Sequence, residues 1–95
     1  MIYLDGSFIK EGQFVNGKLS GYGREIYPNW YYIGDWKDDN RHGQGTYVFC
    51  NGTTYVGAWK NHKFHGPGKL TKADGTVFEG NWVEDMFNDI YWRDL

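Results

Sequence analysis

The amino-acid sequence predicts an all-β fold: an elongated, twisted, single-layer antiparallel sheet of successive β-hairpin repeats. The segment Tyr32-Ile33-Gly34-Asp35-Trp36 has related copies at 55–59 and 78–82, at intervals of 23 residues. A fixed period of this length indicates a repeat array. In each copy the first aromatic residue, the glycine and the tryptophan are two positions apart. On a strand they therefore share one face.

The composition agrees with this class and excludes others. The chain has 95 residues, of which 40% are hydrophobic and 20% aromatic, so half of its hydrophobic residues are Tyr, Trp or Phe. Each such side chain can bury ~150–250 Å², so these residues must form the core. The 14 glycines follow no Gly-X-Y period, which excludes collagen, and the aromatic content argues against disorder.

The net charge and the cysteine content limit the binding partners and the cellular compartment that we expect for this protein. The net charge of −2 predicts no general affinity for nucleic acid. Cys50 is the single cysteine, which excludes a disulfide framework and agrees with a reducing compartment. The sequence has neither a signal peptide at Met1 nor an apolar run of the ~18 residues that cross a membrane. We expect a cytoplasmic protein, with association with the cytoskeleton or a membrane as further options.

We predict that residues 1–95 form one array. Residues 1–7 resemble the end of a preceding repeat, either a capping half-repeat or part of a longer array. Residues 8–31 form a degenerate repeat, in which Lys10 stands at the Tyr32 position and Ser20 replaces a histidine.

Residues 32–54 and 55–77 are the two regular repeats. In each, we predict a strand, a loop of about six residues, a second strand and a tight turn. The turns are placed at Asn51-Gly52 and Asp74-Gly75, because these pairs adopt the positive φ of hairpin turns. Because glycines on the strands have no side chain, a neighbouring Tyr or Trp ring can pack directly on the backbone there.

Residues 78–95 form a terminal partial repeat or cap. Ile90-Tyr91-Trp92 indicates a closing strand. The alternative is a short capping helix that places Val83, Phe87, Ile90 and Asp94 on adjacent turns.

The recurring motif resembles a known family. It consists of Tyr55-x-Gly57-x-Trp59, then His65-Gly66-x-Gly68 beginning six positions after Trp59, and it closes on Asp74-Gly75. This pattern is similar to the MORN repeat (membrane occupation and recognition nexus), and it is nearly complete over 32–82 and partial over 8–31. The resemblance implies a non-catalytic module of successive hairpins. Proteins of the MORN family include junctional scaffolds, lipid kinases of plants, flagellar components and cytoskeletal proteins.

No residue pattern indicates catalysis or a cofactor. His42, His62 and His65 lack the thiolate pair or carboxylate that would complete a metal site, and local hydrogen bonding explains His42 and His65 better. Asp38-Asp39-Asn40 lacks the ligand series of a calcium loop. We therefore expect no catalytic residues, no bound metal and no cofactor.

The aromatic stripe is the predicted partner-binding surface. A single-layer sheet has no second layer to cover such a stripe fully, so part of it should stay accessible. The expected occupant is a helix or peptide of another protein, or a second copy of the chain. The residues are Tyr32, Trp36, Tyr55, Trp59, Phe78 and Trp82.

Clustered charge suggests an alternative partner, an anionic phospholipid. Four lysines in repeat 55–77 could contact its headgroup: Lys60, Lys63, Lys69 and Lys72. Residues 78–95 carry an excess of acidic side chains, which opposes this interpretation and would allow an electrostatic match between two copies. A third option is that the array is the targeting arm of a larger enzyme.

Overall fold

The computed structural model of the protein describes residues 2–6 and 8–87, without the side chains of 2–5. These residues form one open sheet of nine strands, each antiparallel to the next in chain order. The chain measures 49 × 26 × 14 Å, so the sheet is elongated and one layer thick. The predicted all-β hairpin architecture is confirmed. The strands are β1 (Ile2–Asp5), β2 (Phe8–Val15), β3 (Lys18–Tyr27), β4 (Trp30–Lys37), β5 (Asn40–Val48), β6 (Thr54–Lys60), β7 (Lys63–Thr71), β8 (Val77–Val83) and β9 (Met86–Phe87).

Two-residue turns join the strands within each repeat, so the predicted loop of about six residues is wrong. Asp38-Asp39 connects β4 to β5, and both residues have positive φ, 48° and 68°. Asn61-His62 and Glu84-Asp85 repeat this geometry, which is that of a type I′ hairpin turn. The polar residues between Trp36 and Gly43 are mostly strand ends.

Longer connections lie between repeats, at 49–53 and 72–76, where tight turns were predicted. In the first, the Gly52 N–H donates to the Phe49 carbonyl at 3.0 Å, and the Phe49 N–H donates to the Thr53 carbonyl at 2.8 Å. The Asn51 side chain accepts the Thr53 N–H at 2.9 Å. Only Gly52 of the Asn51-Gly52 pair has positive φ, so the pair cannot form a type I′ turn.

A β-bulge interrupts each regular hairpin. The pairing moves from Gly34↔Gly45 to Trp36↔Arg41, so β5 contains two more residues than β4 over this stretch. The bulge contains Gly43, whose φ of 78° favours glycine. The first glycine of the His-Gly-x-Gly motif is therefore the bulge residue.

The second glycine of this motif belongs to a continuous row of cross-strand glycine pairs. Tyr32 lies over Gly45 and Tyr55 lies over Gly68, so closely that a Cβ at either glycine would overlap the ring. The predicted ring-on-glycine packing is confirmed at these positions. The row runs through Gly12, Gly23, Gly34, Gly45, Gly57, Gly68 and Gly80.

The core is a ladder of alternating Tyr and Trp rings on this same side of the sheet, which we call the aromatic face. Tyr32 packs edge-to-face between Trp36 and Trp59, with ring centroids 5.1 Å apart in both pairs. Tyr55 packs likewise between Trp59 and Trp82 at 5.4 and 5.5 Å. The ladder thus links each repeat to the next.

The end of the described chain is a hairpin rather than a helix. Val83 ends β8 and Phe87 ends β9, with a type I′ turn between the two strands. The predicted closing strand at Ile90–Trp92 lies outside the described residues.

Candidate functional site

Five of the six residues predicted to bind a partner lie in the core. Their exposed fractions are 0–6%, because the rings cover one another without a second layer. Phe78 is partly exposed and packs against the core. Their contact with a partner stays a prediction, and their contribution in this structure is to packing. The buried five are Tyr32, Trp36, Tyr55, Trp59 and Trp82.

A second set of apolar side chains on the aromatic face is only partly buried, and we call it the outer row. Trp30 stacks on Tyr47 at 5.0 Å, and Tyr47 contacts Phe49 at 4.6 Å. Tyr47 and Phe49 follow Gly45 at intervals of two, so alternation places them on the same face as this glycine, and Leu70 occupies the Tyr47 position one period later. The period could therefore have identified this row. Its members are Trp30, Tyr47, Phe49, Leu70 and Phe78.

A cavity of about 340 Å³ opens between the outer row and the edge of the sheet that carries the two-residue turns, which we call the turn edge. Its walls are aromatic, and its remaining lining residues are polar. The aromatic walls are Tyr47, Phe49, Trp59 and Phe64, and the polar residues are Arg41, His62 and Asp85. This cavity can accept an apolar side chain with a polar group attached.

Charged residues interrupt the aromatic face beside this cavity. The Glu25 carboxylate is 7% exposed and lies 3.8 Å from the Lys10 ammonium and 3.9 Å from the Arg41 guanidinium. Burial raises the pKa of Glu25, although both cations oppose this effect. The equivalent positions in the next repeat are Tyr32, Tyr47 and Phe64, so the cluster replaces aromatic contacts. Sequence reasoning noted Lys10 but missed Glu25 and Arg41.

Arg41 lies among four rings of the aromatic face. Its guanidinium carbon is 5.3–5.8 Å from the ring centroids of Trp30, Tyr32, Tyr47 and Trp59. These distances permit cation–π attraction. Its Nε atom is buried and has no hydrogen-bond partner.

Hydrogen bonds along the turn edge connect successive hairpins. In three turns the second residue donates its N–H to a carbonyl of the preceding hairpin, and its side chain accepts an N–H from the same residue. Asp39 bonds in this way to Leu19 and Asp85 to Phe64, at 2.8–2.9 Å. His62 bonds to Arg41 at 3.0 and 3.4 Å, with Nδ1 as the acceptor.

The remaining histidines also lie at this edge. His65 accepts the Glu84 N–H on Nδ1 at 3.4 Å, whereas Nδ1 of His42 is buried without a partner. The predicted local hydrogen bond is thus present for His65, although it reaches the following hairpin. Within residues 2–6 and 8–87, no group of three His, Cys, Asp or Glu side chains could hold a metal ion.

The four predicted lipid-binding lysines do not converge. Lys60 and Lys63 pair across the turn edge, whereas Lys72 is at the other end of β7, with its ammonium 5.5 Å from the Phe78 ring centroid. Lys69 faces the opposite side of the sheet, which we call the mixed face, because exposed apolar side chains such as Tyr22 and Val56 lie there among charged ones. About nine residues of strand, on the order of 30 Å, separate Lys63 from Lys72. The described part of the chain contains no helix that is long and apolar enough to cross a membrane.

These features define a hairpin-repeat protein with one aromatic face and one mixed face. The family model for the MORN repeat matches residues 11–30, 32–54 and 55–77, which is well over half of the chain. The chain belongs to the MORN-repeat family. The MORN repeat is a non-catalytic module, and such modules generally bind proteins or membranes. A search among curated proteins finds none that matches the chain.

Proposed function

We propose that this protein is a non-catalytic interaction module that binds a segment of another protein along the outer row. The observation that carries this proposal is the set of partly exposed aromatic side chains beside the cavity. They are packed on a core of interlocked rings and are therefore held in place before binding. Exposed aromatic residues next to an apolar cavity are typical anchors of binding hot spots.

The spacing of the repeats favours a helical segment. One two-strand repeat advances ~10 Å along the sheet, since neighbouring strands are ~4.8 Å apart. Two turns of an α-helix advance ~10.8 Å. Tyr47 and Leu70 are related by one repeat, so they match apolar residues two turns apart on a helix. A second copy of the chain is the alternative occupant.

A random-peptide phage library panned on the folded protein tests the proposal and selects its own ligands. Enriched peptides are synthesised, and their affinities are measured by fluorescence anisotropy. Phe49→Ser and Leu70→Ser should weaken binding at least about tenfold, which is ~1.4 kcal/mol. Tyr22→Ser on the mixed face, where Tyr22 is 63% exposed, is the matched control and should leave the affinity unchanged. Circular dichroism verifies the fold of each variant.

The lipid alternative is measured in parallel. Replacing Lys60, Lys63 and Lys69 with glutamine should spare peptide binding, since these lysines lie apart from the outer row. Lys72 is kept, because its ammonium lies beside the Phe78 ring of that row. Sedimentation with phosphatidylserine vesicles reports headgroup binding, and light scattering reports a second copy. Peptide binding that is lost in the lysine variant but retained in both outer-row variants would contradict the proposal.

A further inference from the structure

We propose that Arg41 anchors a carboxylate of the bound segment, so that the partner is an apolar peptide carrying one acidic side chain. This inference rests on the proposed function, because it specifies the chemistry of the segment that lies on the outer row. It concerns the cavity between Tyr47 and Phe64, at whose edge Arg41 stands.

The fold does not require a charge at this position. The cross-strand partner of Trp36 is Arg41, whereas Trp59 pairs with Phe64 and Trp82 pairs with Phe87. Leu19 is the corresponding residue of the first repeat, and it is fully buried. An apolar side chain therefore satisfies the same environment in the other hairpins.

The charge of Arg41 is incompletely satisfied by the protein. Its side chain is only 16% exposed, yet the nearest carboxylate oxygen, of Glu25, lies 3.9 Å away, beyond hydrogen-bond distance. Nε is buried without a partner. A buried charged donor without a hydrogen bond is costly, and a carboxylate can accept two parallel N–H bonds from a guanidinium. An incoming acidic group can reach the exposed part of the guanidinium rather than Nε, and it would supply the close carboxylate contact that Glu25 does not make.

The surrounding charges direct such a group to Arg41. Glu25 is shared between Lys10 and Arg41, whereas Lys10 has a second carboxylate, that of Asp39, at 3.9 Å. Among the ion pairs of the described residues, Arg41 therefore has only its share of Glu25. Asp85 lines the same cavity, and its Oδ1 already accepts the Phe64 N–H at 2.8 Å. Repulsion from Asp85 disfavours an acidic group beside Phe64. The four rings around Arg41 exclude water, which strengthens an ion pair.

The test uses a peptide from the library above whose binding depends on Phe49 and Leu70. Replacing its acidic residue with the matching amide should weaken binding to the unmodified protein at least about tenfold, ~1.4 kcal/mol. Arg41→Leu, which copies Leu19, should abolish the difference between the acidic and amide peptides. Arg41→Lys should retain part of it, since lysine keeps the charge but not the bidentate geometry.

Two results would overturn the inference. One is a set of outer-row-dependent peptides without an enriched acidic residue, which would leave the proposed function intact. The other is an equal acid-to-amide effect in the unmodified and Arg41→Leu proteins. Peptides that bind independently of Phe49 and Leu70 would instead overturn the proposed function and this inference together. If Arg41→Leu fails to fold, Arg41→Lys takes its place, and an amide peptide that binds the unmodified protein as tightly as the acidic peptide overturns the inference by itself.

Discussion

The ring of Tyr55 lies over Gly68 so closely that the glycine has no room for a side chain. The Tyr55 hydroxyl donates to the Ala58 carbonyl at 2.8 Å, and burial raises its pKa to about 12, so it remains a donor at neutral pH. Gly68→Ala should therefore lower the free energy of unfolding by about 1–3 kcal/mol, because the ring must move. Urea denaturation followed by tryptophan fluorescence measures this loss.

Gly6→Ala is the matched control. Nothing lies within 4 Å of a Cβ at Gly6, so its free energy of unfolding should stay within ~0.5 kcal/mol. Gly45→Ala should behave like Gly68→Ala, because Tyr32 covers it in the same way. Equal urea midpoints for Gly68→Ala and Gly6→Ala would refute the role of the ring.

Gly57→Val should destabilise the protein for a different reason. A Cβ at Gly57 would lie 2.6 Å from the Pro67 carbonyl oxygen, so the conflict is mainly with the backbone of β7. Since a paired strand moves less easily than a side chain, the loss should equal or exceed that of Gly68→Ala. The thermal midpoints of the two variants compare them directly, and a native midpoint for Gly57→Val would contradict this geometry.

Gly66→Val tests the bulge. Gly66 has a φ of 101°, and a Cβ there would lie 3.1 Å from that of Ala58. The strained backbone should cost about 1–3 kcal/mol in unfolding free energy. Gly66→Asn should cost less, because asparagine tolerates positive φ better than valine. If both variants unfold at the urea concentration of the unmodified protein, the bulge does not depend on glycine.

His62→Asp should make the stability less dependent on pH. Burial, Arg41 and Lys10 lower the pKa of His62, whereas Asp39 opposes them. The folded protein therefore resists protonation, which would also break the Nδ1 bond to the Arg41 N–H. The contribution of His62 is present above the pKa of the unfolded histidine, ~6.5, and is lost as pH falls through the lower folded value.

Asp39 and Asp85 make this same contact through a carboxylate, so the variant should keep the contact at pH 5. Its advantage over the unmodified protein at that pH should be about 0.5–1 kcal/mol, the value of one hydrogen bond. Thermal unfolding between pH 5 and 8 measures it. Parallel pH profiles for the two proteins would exclude His62 as the titrating contact.

Replacing the charged cluster should stabilise the fold. The triple variant Lys10→Tyr, Glu25→Tyr and Arg41→Phe introduces the residues of the following repeat. Exchanging buried ion pairs for packed apolar groups often gains about 1–4 kcal/mol. Glu25→Tyr alone should destabilise, because it removes the carboxylate that pairs with the buried Arg41 and leaves Lys10 with Asp39 alone. A triple variant less stable than the unmodified protein in urea would show that the cluster serves the fold.

The fold was predictable because the 23-residue repeat period and the two-residue alternation of side chains recur along the chain. Tyr32, Gly34 and Trp36 share a face in any β-strand, whatever the loops between strands do. Loop lengths were not predictable, because the bulge at Gly43 and the type I′ turn at Asp38-Asp39 together mimic a polar loop of six residues.

The candidate site was predictable only in part. Alternation identifies the face of a residue but not which neighbour will cover it. Tyr55 was therefore expected to stay partly accessible, although it is fully buried, and Tyr47 was not named as a partner contact. The signal for Arg41 was its position, since a cation stands there where Leu19, Phe64 and Phe87 are apolar. This difference becomes visible only when the sequences of the hairpins are aligned on the two-residue turns that the structure shows, such as Asp38-Asp39.

Each described strand pairs only with its neighbours in the sequence, which gives the molecule the character of a ruler. Distances between contact points on the outer row come in increments of one repeat, ~10 Å, rather than varying continuously. Adding or removing a 23-residue unit would change the reach of the array by one increment and leave the geometry of the other units unchanged. A partner with two anchor points would therefore bind only arrays whose number of repeats matches the distance between those points.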